Sequence, residues 1–477
     1  MNYAIVFRLL GYILMIEGTL LLLPAVTSLI YAEWAVMGVF LLTAAISAAL
    51  GFALRTIKPR SKVFYMREGF TATALSWITI SIMGAVPFVL TGCIPNPVDA
   101  MFETVSGFTT TGASILPGVE GLPNGILFWR SFTHWIGGMG VFVFIMAILP
   151  MMGGSTMNLM RAESPGPSVS KLVPRVRDTA KILYGLYMAI TVLGVIMLCL
   201  CGMPLFDSLC TTFGSVGTGG FGVKNSSIGG YSPLIQNAVT VLMILSGVNY
   251  TVYFCLLSRQ FKEAFSIEEV RWYFLIIFAS ALTIAWNIRP LYTTLGETLR
   301  HSFFQVGTII TTTGFATTDF NMWPQLSKTI LLLLMMIGAC AGSTTGGIKI
   351  DRLVLIVKNL KNEMYRILFP NAINPVRVNG KVLSNDMTAK VCAFLLLFAL
   401  SLFVGSLALS LSGINLFDAI FTSMSCLSNN GLGYGFTGQN FADINPYGKW
   451  VLSFIMLVGR LEFSAVMILL TKAFWSK

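Results

Sequence analysis

The sequence carries little charge: Asp, Glu, Lys and Arg make up 11% of its 477 residues, whereas they make up about a quarter of a typical soluble domain. Hydrophobic residues account for 55% of the chain, and the mean hydropathy is +0.78. A soluble globular protein of this length is therefore excluded.

Histidine and paired cysteine are also scarce. The chain has two histidines, His134 and His301, too far apart for the HExxH zinc motif. Its eight cysteines include no CxxC pair, which argues against a disulfide framework and against a cysteine metal site. The charged residues within apolar segments form no acid, base and nucleophile set. We therefore expect that the protein is not an enzyme and needs no cofactor. His134 is expected to be a packing residue and His301 a helix cap.

Long hydrophobic runs, by contrast, are abundant. Windows long enough to cross ~30 Å of hydrocarbon recur from end to end of the chain. They lie near residues 9–30, 35–54, 70–91, 126–150, 182–202, 233–257, 272–288, 328–357, 389–412 and 449–471. This pattern predicts an all-α polytopic membrane protein with about ten transmembrane helices.

The basic residues are concentrated in alternate connections. If segment 55–67 is cytoplasmic, 24 of the 31 Lys and Arg residues lie on that side. The positive-inside rule then predicts that both termini are cytoplasmic. The net charge of +11 is interpreted as a topology signal, and no nucleic-acid partner is expected.

Four connections on the opposite side share one pattern. In each, a polar residue that can cap a helix precedes a glycine by thirteen positions: Asp99 and Gly112, Asp207 and Gly220, His301 and Gly314, Asp418 and Gly431. A short helix followed by an extended run of small residues is typical of a re-entrant pore loop. The prediction is four repeats of outer helix, pore loop and inner helix around one pore, as in K⁺ channels, plus an N-terminal two-helix hairpin.

The repeats divide the chain into five predicted units. These are a hairpin with its cytoplasmic linker and then the four pore repeats, at residues 1–68, 69–160, 161–265, 266–385 and 386–477.

The loop composition favours a cation. Backbone carbonyls from four loops surround an ion without fixed charge, and the negative ends of four short helices stabilise it. Each glycine permits the positive φ that turns carbonyls inward, and residues 109–111 and 311–313 add threonine hydroxyls. The alternative is that Gly and Thr only allow close helix packing.

These loops resemble those of the K⁺ transporter superfamily that contains the TrkH, TrkG and KtrB subunits. The matching motifs are TTTGAS, VGTGGFG, TTTGFATTDF and SNNGLG; the hairpin, WRSFTHWIGGMG and RAESPGP point to the TrkH type. The resemblance implies K⁺ uptake by a homodimer in the bacterial inner membrane, docked on a cytosolic nucleotide-binding regulatory subunit.

The resemblance also implies a K⁺ selectivity filter, the only metal-ion site expected. Its residues are Thr110, Thr111, Gly112, Thr218, Gly219, Gly220, Thr312, Thr313, Gly314, Asn429, Asn430 and Gly431. One shared glycine per loop predicts imperfect selectivity, with Rb⁺ also passing and Na⁺ passing weakly. The fourth loop offers two amides where the first and third offer hydroxyls.

The third inner helix is interrupted by a run that is a poor helix former. In the family its counterpart is an intramembrane gate, here Gly338, Ala339, Cys340, Ala341, Gly342, Ser343, Thr344, Thr345, Gly346 and Gly347. The alternative is a small-residue packing stripe.

Two basic residues are candidates for a barrier in the pore. Arg460 lies near the middle of the last apolar window, where a charge is costly. It is predicted to oppose cations or to hold the gate carbonyls, unless it bridges to a neighbouring helix. Lys349 lies at the end of the gate loop. It is predicted either to form part of the same barrier or to be one of the cytoplasmic charges that set the membrane topology.

A K⁺ symporter coupled to Na⁺ or H⁺ is the alternative function. It would be expected to show inverted repeats and acidic midplane ligands. The four repeats run in one direction and no acid falls within the filter motifs, so a channel-like path is preferred.

Overall fold

The computed structural model describes residues 2–58, 65–140, 176–370, 375–382, 385–438, 440–461 and 471–472. Helices account for most of this part of the chain. The strands described are β1 (Arg377–Val378) and β2 (Lys381–Val382), a short antiparallel pair in which Arg377 is opposite Val382. The RAESPGP motif lies outside the described residues.

The N-terminal hairpin consists of α1 (Tyr3–Leu20), α2 (Leu22–Ile30) and α3 (Trp34–Arg55). Its helices are in backbone contact, since a β-carbon at Gly11 would lie 2.7 Å from the Gly51 carbonyl oxygen, and the reverse holds for Gly51. Small residues allow such close approach where no hydrophobic effect drives helices together.

The first two repeats follow the hairpin. Repeat 1 contains α4 (Met66–Leu90), α5 (Pro97–Phe108) and α6 (Asn124–Gly138). Repeat 2 contains α7 (Val176–Leu200), α8 (Leu205–Val216), α9 (Pro233–Ser246) and α10 (Tyr250–Leu257). A short helix, α11 (Phe261–Ser266), leads into the next repeat.

Repeats 3 and 4 have the same order of elements. Repeat 3 contains α12 (Glu268–Ile288), α13 (Leu295–Ile310), α14 (Gln325–Ile337) and α15 (Ile350–Leu368). Repeat 4 contains α16 (Asn385–Ser410), α17 (Leu416–Leu427) and α18 (Pro446–Leu461). Single 3₁₀ turns occur at Arg289–Leu291, Phe320–Met322 and Gly435–Thr437. We call α5, α8, α13 and α17 the pore helices. The predicted fold class is confirmed.

The spanning helices match the predicted windows. In the described part of the chain, six helical stretches are long and apolar enough to cross a membrane, and α9 with α10, bent by 90°, makes a seventh if counted as one span. Of the other windows, 328–357 is a broken inner helix, and 126–150 and 449–471 lie only partly within the described residues. The clearest break separates α14 from α15.

The pore helices begin earlier than predicted. Asn96 caps α5 by accepting a hydrogen bond from Val98 N–H, and Asn415 caps α17 in the same way. Asp99, Asp207 and Asp418 lie in the first turn instead. Side-chain amides satisfy free N–H groups at the cap position, whereas acids one turn in interact with the helix dipole.

His301 was wrongly predicted as a cap. It lies inside α13, where its Nδ1 is 3.0 Å from the hydroxyl of Thr317. Thr294 caps that helix by accepting from Glu297 N–H.

The pore helices form the centre of the molecule, and the outer helices surround them. Phe102 of α5 and Phe304 of α13 are fully buried, whereas Leu200 of α7 and Phe403 of α16 are 83% and 67% exposed. Large exposed apolar side chains on long apolar helices mark a lipid-facing surface. The pore loops are therefore held in the protein interior.

Candidate ion pathway

Each pore helix ends in the same backbone turn. In each turn, the first residue with a positive φ is not a glycine. The φ angle is 56° at Thr110, 55° at Thr218, 51° at Thr312 and 55° at Asn429. The next N–H donates to the carbonyl five residues back, at 2.9 Å from Thr111 and 2.8 Å from Gly219, Thr313 and Asn430. This is the Schellman arrangement of a helix C-terminus. One backbone geometry is thus built four times.

Two residues after each such turn residue stands the shared glycine. Gly112, Gly220, Gly314 and Gly431 have φ of 81°, 81°, 88° and 73°. In each repeat, two residues with positive φ therefore flank one with negative φ. A side chain at the glycine would be strained in this conformation.

The four glycines are arranged in a closed ring. A β-carbon at Gly112 would overlap the carbonyl oxygen of Gly219 in repeat 2, and one at Gly220 would overlap that of Thr313 in repeat 3. The ring continues from Gly314 to the Asn430 carbonyl and from Gly431 back to the Thr111 carbonyl. The repeats thus surround one axis in the order 1, 2, 3, 4, with carbonyl oxygens at van der Waals distance from the neighbouring loop.

The twelve predicted filter residues all lie in these four turns. The residue before each glycine is buried, and the glycines themselves line an outer cavity on the side predicted to face outward. Carbonyl oxygens at the floor of a cavity are suited to replace the water around a cation.

The threonine hydroxyls at the ends of the first and third pore helices have partners within the protein. The hydroxyls of Thr109 and Thr111 bond each other at 2.8 Å, as do those of Thr311 and Thr313. Thr109 also donates to the Val105 carbonyl. These hydrogen bonds within the protein stabilise the ends of the first and third pore helices.

The two amides of the fourth loop also bind protein neighbours. Asn429 Nδ2 donates to the Thr111 hydroxyl at 2.9 Å and to the Met456 carbonyl at 3.0 Å. Asn430 Nδ2 donates to the Ile309 carbonyl at 2.9 Å. The amides fasten loop 4 to repeats 1 and 3, a role that the sequence did not suggest.

The predicted gate loop lies directly below the filter turns. Gly346 N–H donates to the Thr312 hydroxyl at 2.9 Å, and the Thr344 hydroxyl donates to the Val216 carbonyl at 3.1 Å. A β-carbon at Gly346 would overlap the Ser428 carbonyl oxygen. The loop therefore contacts the ends of three pore helices.

A second helix break holds the gate loop from the side. The 90° bend between α9 and α10 falls at residues 247–249. There the Gly247 carbonyl accepts from Cys340 N–H at 3.2 Å, and Tyr250 N–H donates to the Gly342 carbonyl at 3.2 Å. Backbone groups freed by one break thus bond those freed by the other.

Glu269 of α12 completes this support. Its carboxylate accepts from the Ala341 N–H of the gate loop and from Asn249 Nδ2, the latter at 3.4 Å. The residue is 6% exposed. Sequence reasoning missed Glu269, although two signals were visible. Glu269 is an acid next to the apolar window 272–288, and Asn249 is a polar residue inside the window 233–257.

Arg460 contacts the gate loop and repeat 1 at once. Its Nη1 donates to the Thr344 carbonyl at 2.7 Å, and its Nη2 donates to the carbonyls of Gly137 and Gly138, the latter at 2.8 Å. Together with Lys349, which is 3% exposed, it lines an inner cavity below Asn429. The guanidinium places positive charge beneath the filter turns.

Two ion pairs around α5, one fully buried and one partly exposed at its carboxylate, were also missed. Arg130 Nε lies 2.6 Å from Glu103 Oε1, and Lys449 Nζ lies 2.6 Å from Asp99 Oδ1. Ionisable side chains inside apolar windows are expected to have a specific role, so Arg130 and Lys449 could have been singled out. Among the described residues, no cluster of His, Cys, Asp and Glu could hold a metal ion.

These features define a class: a multi-pass α-helical membrane protein with four pore-loop repeats around one axis. Comparison with known proteins identifies the family. The family model described as "TrkH: Cation transport protein" matches residues 33–477. The chain therefore belongs to the TrkH family of cation transport proteins, and it is a transport protein and not an enzyme.

Individual relatives agree over the full length. The chain is 36% identical to the Trk system potassium uptake protein TrkH of Salmonella typhimurium, with all of both chains covered. It is 33% identical to TrkG of Escherichia coli, over 99% of this chain and 98% of that one. The crystal structure of the potassium transporter TrkH from Vibrio parahaemolyticus superposes with a TM-score of 0.90 at 31% identity, again with both chains fully covered.

Proposed function

We propose that this protein takes up K⁺ across the bacterial inner membrane through a channel-like pore whose filter is the ring of four loop turns. The proposal assigns Thr110 to Gly112 and the equivalent residues of repeats 2 to 4 to the ion sites. It rests on one observation above all, the closed ring in which each filter glycine abuts a carbonyl of the next repeat.

The chemistry of the ring favours a monovalent cation. Its ligands are neutral carbonyl oxygens, which bind weakly enough for an ion to leave again. The four pore helices end at the ring, so their partial negative charges reinforce one another there. A site of this kind needs no acidic ligand and no proton or sodium coupling.

In this proposal, the gate loop and Arg460 together keep the pore closed. The loop blocks the path below the ring, and the arginine bonds its Thr344 carbonyl while adding a positive charge that opposes cations. Opening requires the loop to leave its partners on α10, α12 and α18.

Assembly follows the family resemblance. We propose a homodimer with both termini cytoplasmic, regulated by a cytosolic nucleotide-binding subunit that acts on the gate loop. The helix that follows the loop, α15, carries this motion to the cytoplasmic side. Its exposed Val357, Leu360 and Met364 offer an apolar surface for a partner.

The test is electrical recording of the purified protein in liposomes under opposed K⁺ and Na⁺ gradients. The expected reversal potential lies near that of K⁺, with Rb⁺ accepted and Na⁺ passing weakly. Equal permeability or a preference for Na⁺ would contradict the filter assignment. Flux that stops when an H⁺ or Na⁺ gradient is removed would instead indicate symport.

A closed gate would make the wild-type flux small. The same recording is therefore made with residues 342–346 deleted and, separately, with Arg460→Ala. Both variants are expected to conduct more than wild type with the same ion preference.

A further inference from the structure

Two buried side chains one turn apart on α6, Arg130 and His134, face the junction between the loops of repeats 1 and 2. Arg130 is 4% exposed and His134 is fully buried. Neither belongs to the filter turns, and neither contacts the gate loop through a described hydrogen bond. Their partners show what they hold.

Arg130 joins three parts of the pore through one guanidinium group. Nε bonds Glu103 of the first pore helix at 2.6 Å, and Nη2 donates to the Ser114 hydroxyl of loop 1 at 2.9 Å. Nη1 donates to the Gly222 carbonyl of loop 2 at 3.2 Å. The same group lies 3.8 Å from the centre of the Phe221 ring, a cation–π distance.

Glu103 extends the network along loop 1. Its Oε1 accepts from the Ser114 hydroxyl at 3.0 Å and its Oε2 from Ile115 N–H at 2.9 Å. Ser114 is two residues beyond the filter glycine Gly112. The carboxylate therefore fixes the exit of loop 1 on its own pore helix.

His134 makes the corresponding link to loop 2. Its Nε2 accepts from Phe221 N–H at 3.2 Å, so the neutral ring carries its proton on Nδ1, which donates to the Gly107 carbonyl at 2.8 Å. Phe221 directly follows the filter glycine Gly220. A β-carbon at Gly219 would overlap the His134 ring, so the ring lies directly behind the loop.

We propose that Arg130 and His134 are positioning residues that hold loops 1 and 2 at a fixed spacing and so set discrimination between K⁺ and Na⁺. The proposal rests on the assignment of the four loop turns as the ion filter. A cage that keeps its size disfavours the smaller ion, whereas a cage that relaxes inward accommodates it.

The type of bond supports this role. Charge-assisted hydrogen bonds are about twice as strong as neutral ones, and the guanidinium makes three bonds in a fixed plane. These bonds of Arg130 join loops 1 and 2 to each other and to the first pore helix.

The experiment measures the K⁺/Na⁺ permeability ratio from reversal potentials in liposomes, which does not depend on how often the gate opens. Arg130→Lys keeps the charge but cannot reach all three partners at once. His134→Asn keeps a donor for the Gly107 carbonyl and loses the acceptor for Phe221 N–H. Each variant is expected to lower the ratio by about tenfold, the loss of one buried hydrogen bond to a constrained group.

The matched control is Trp129→Phe on the same helix. It removes the bond from Trp129 Nε1 to the Gly84 carbonyl, 3.0 Å long, which touches no filter loop. We expect this variant to unfold at a lower temperature with the wild-type ratio unchanged.

The outcomes separate the two proposals. A wild-type ratio near one contradicts the filter assignment itself. A selective wild type with wild-type ratios in folded Arg130→Lys and His134→Asn overturns the positioning role and leaves these residues purely structural. If Arg130→Lys yields no folded protein, His134→Asn decides the question alone.

Discussion

The residues that end the pore helices keep side chains where glycine would be easier to accommodate. Thr110, Thr218, Thr312 and Asn429 all have left-handed backbone, which costs a non-glycine residue about 1–2 kcal/mol. Two of these side chains have partners that glycine would lack: Thr312 accepts from the gate loop, and Asn429 donates to Thr111. These two contacts join the turns to one another and to the gate loop.

The first prediction concerns the filter glycine Gly220. Gly220→Ala places a methyl group on the Thr313 carbonyl oxygen and strains a φ of 81°. We expect K⁺ conductance to fall by at least about tenfold, since one carbonyl must leave the ring.

Gly92→Ala is the control for this variant. Gly92 has a similar φ of 75°, but a β-carbon there would meet no atom within 4 Å. It carries the backbone strain without the overlap, so conductance should stay near wild type. Equal losses in the two variants would show that strain alone is responsible.

The second prediction concerns Arg460. Arg460→Ala removes a positive charge from the inner cavity and the bond to the Thr344 carbonyl. We expect flux in liposomes to rise several-fold, because a charge at this depth costs a passing cation of order 1 kcal/mol or more. A folded variant with unchanged or reduced flux would contradict the barrier role.

At the scale of elements, the inner helices depart most from the repeat. The pore helices of repeats 1, 2 and 4 are each 12 residues long, and all four end in the same turn. The inner helix of repeat 3, in contrast, breaks between Ile337 and Ile350, and that of repeat 2 bends by 90°. The two breaks bond each other, so the proposed gate is a joint feature of two repeats.

The third prediction tests this joint feature. Glu269→Ala removes the acceptor of the Ala341 N–H and the partner of Asn249. We expect the gate loop to detach more often and the resting flux to rise, since the loss of an acceptor from a buried N–H costs about 1–3 kcal/mol.

The neighbouring acid supplies the control. Glu268 binds Lys358 at 2.6 Å and does not touch the gate loop through a described hydrogen bond. Glu268→Ala should therefore leave the resting flux unchanged. If both variants raise the flux equally, the effect belongs to the start of α12 as a whole and not to the contact with Ala341.

At the scale of the molecule, the ring must close between the last repeat and the first. Lys449 of α18 reaches Asp99 of α5 across this seam, and Phe441 N–H donates to the Ser114 carbonyl at 2.9 Å. Lys449 is 5% exposed. The seam joins segments from opposite ends of the chain, so it stabilises the whole ring.

The fourth prediction is that Lys449→Met lowers stability by about 1–3 kcal/mol, because Asp99 loses its partner. The measurement is thermal unfolding of the purified protein in detergent. Lys449→Met combined with Asp99→Asn should recover part of the loss, since no unpaired charge remains. Additive losses in the double variant would show that the two residues do not interact.

Much of the architecture could be predicted from sequence because its signals are local. Spanning windows follow from runs of apolar residues, and the repeat follows from four glycines at one offset. The caps could not be placed, since Asn96 and Asp99 are both good residues for the start of a helix and packing decides between them. His134 was expected only to pack, because its two hydrogen-bond partners, Gly107 and Phe221, come from different repeats.

The sequence by itself determined that this is a membrane protein with four pore loops, since hydrophobicity and the need for positive φ act on single segments. Only the tertiary structure decided which carbonyl meets which glycine, and which groups Arg460 and Lys449 bind. Their partners lie far away in the chain, since the residue numbers differ by 323 for Arg460 and Gly137 and by 350 for Lys449 and Asp99. A charge that is buried in apolar surroundings is costly unless it is paired, and the packing of the four repeats supplies the partners of Arg460 and Lys449.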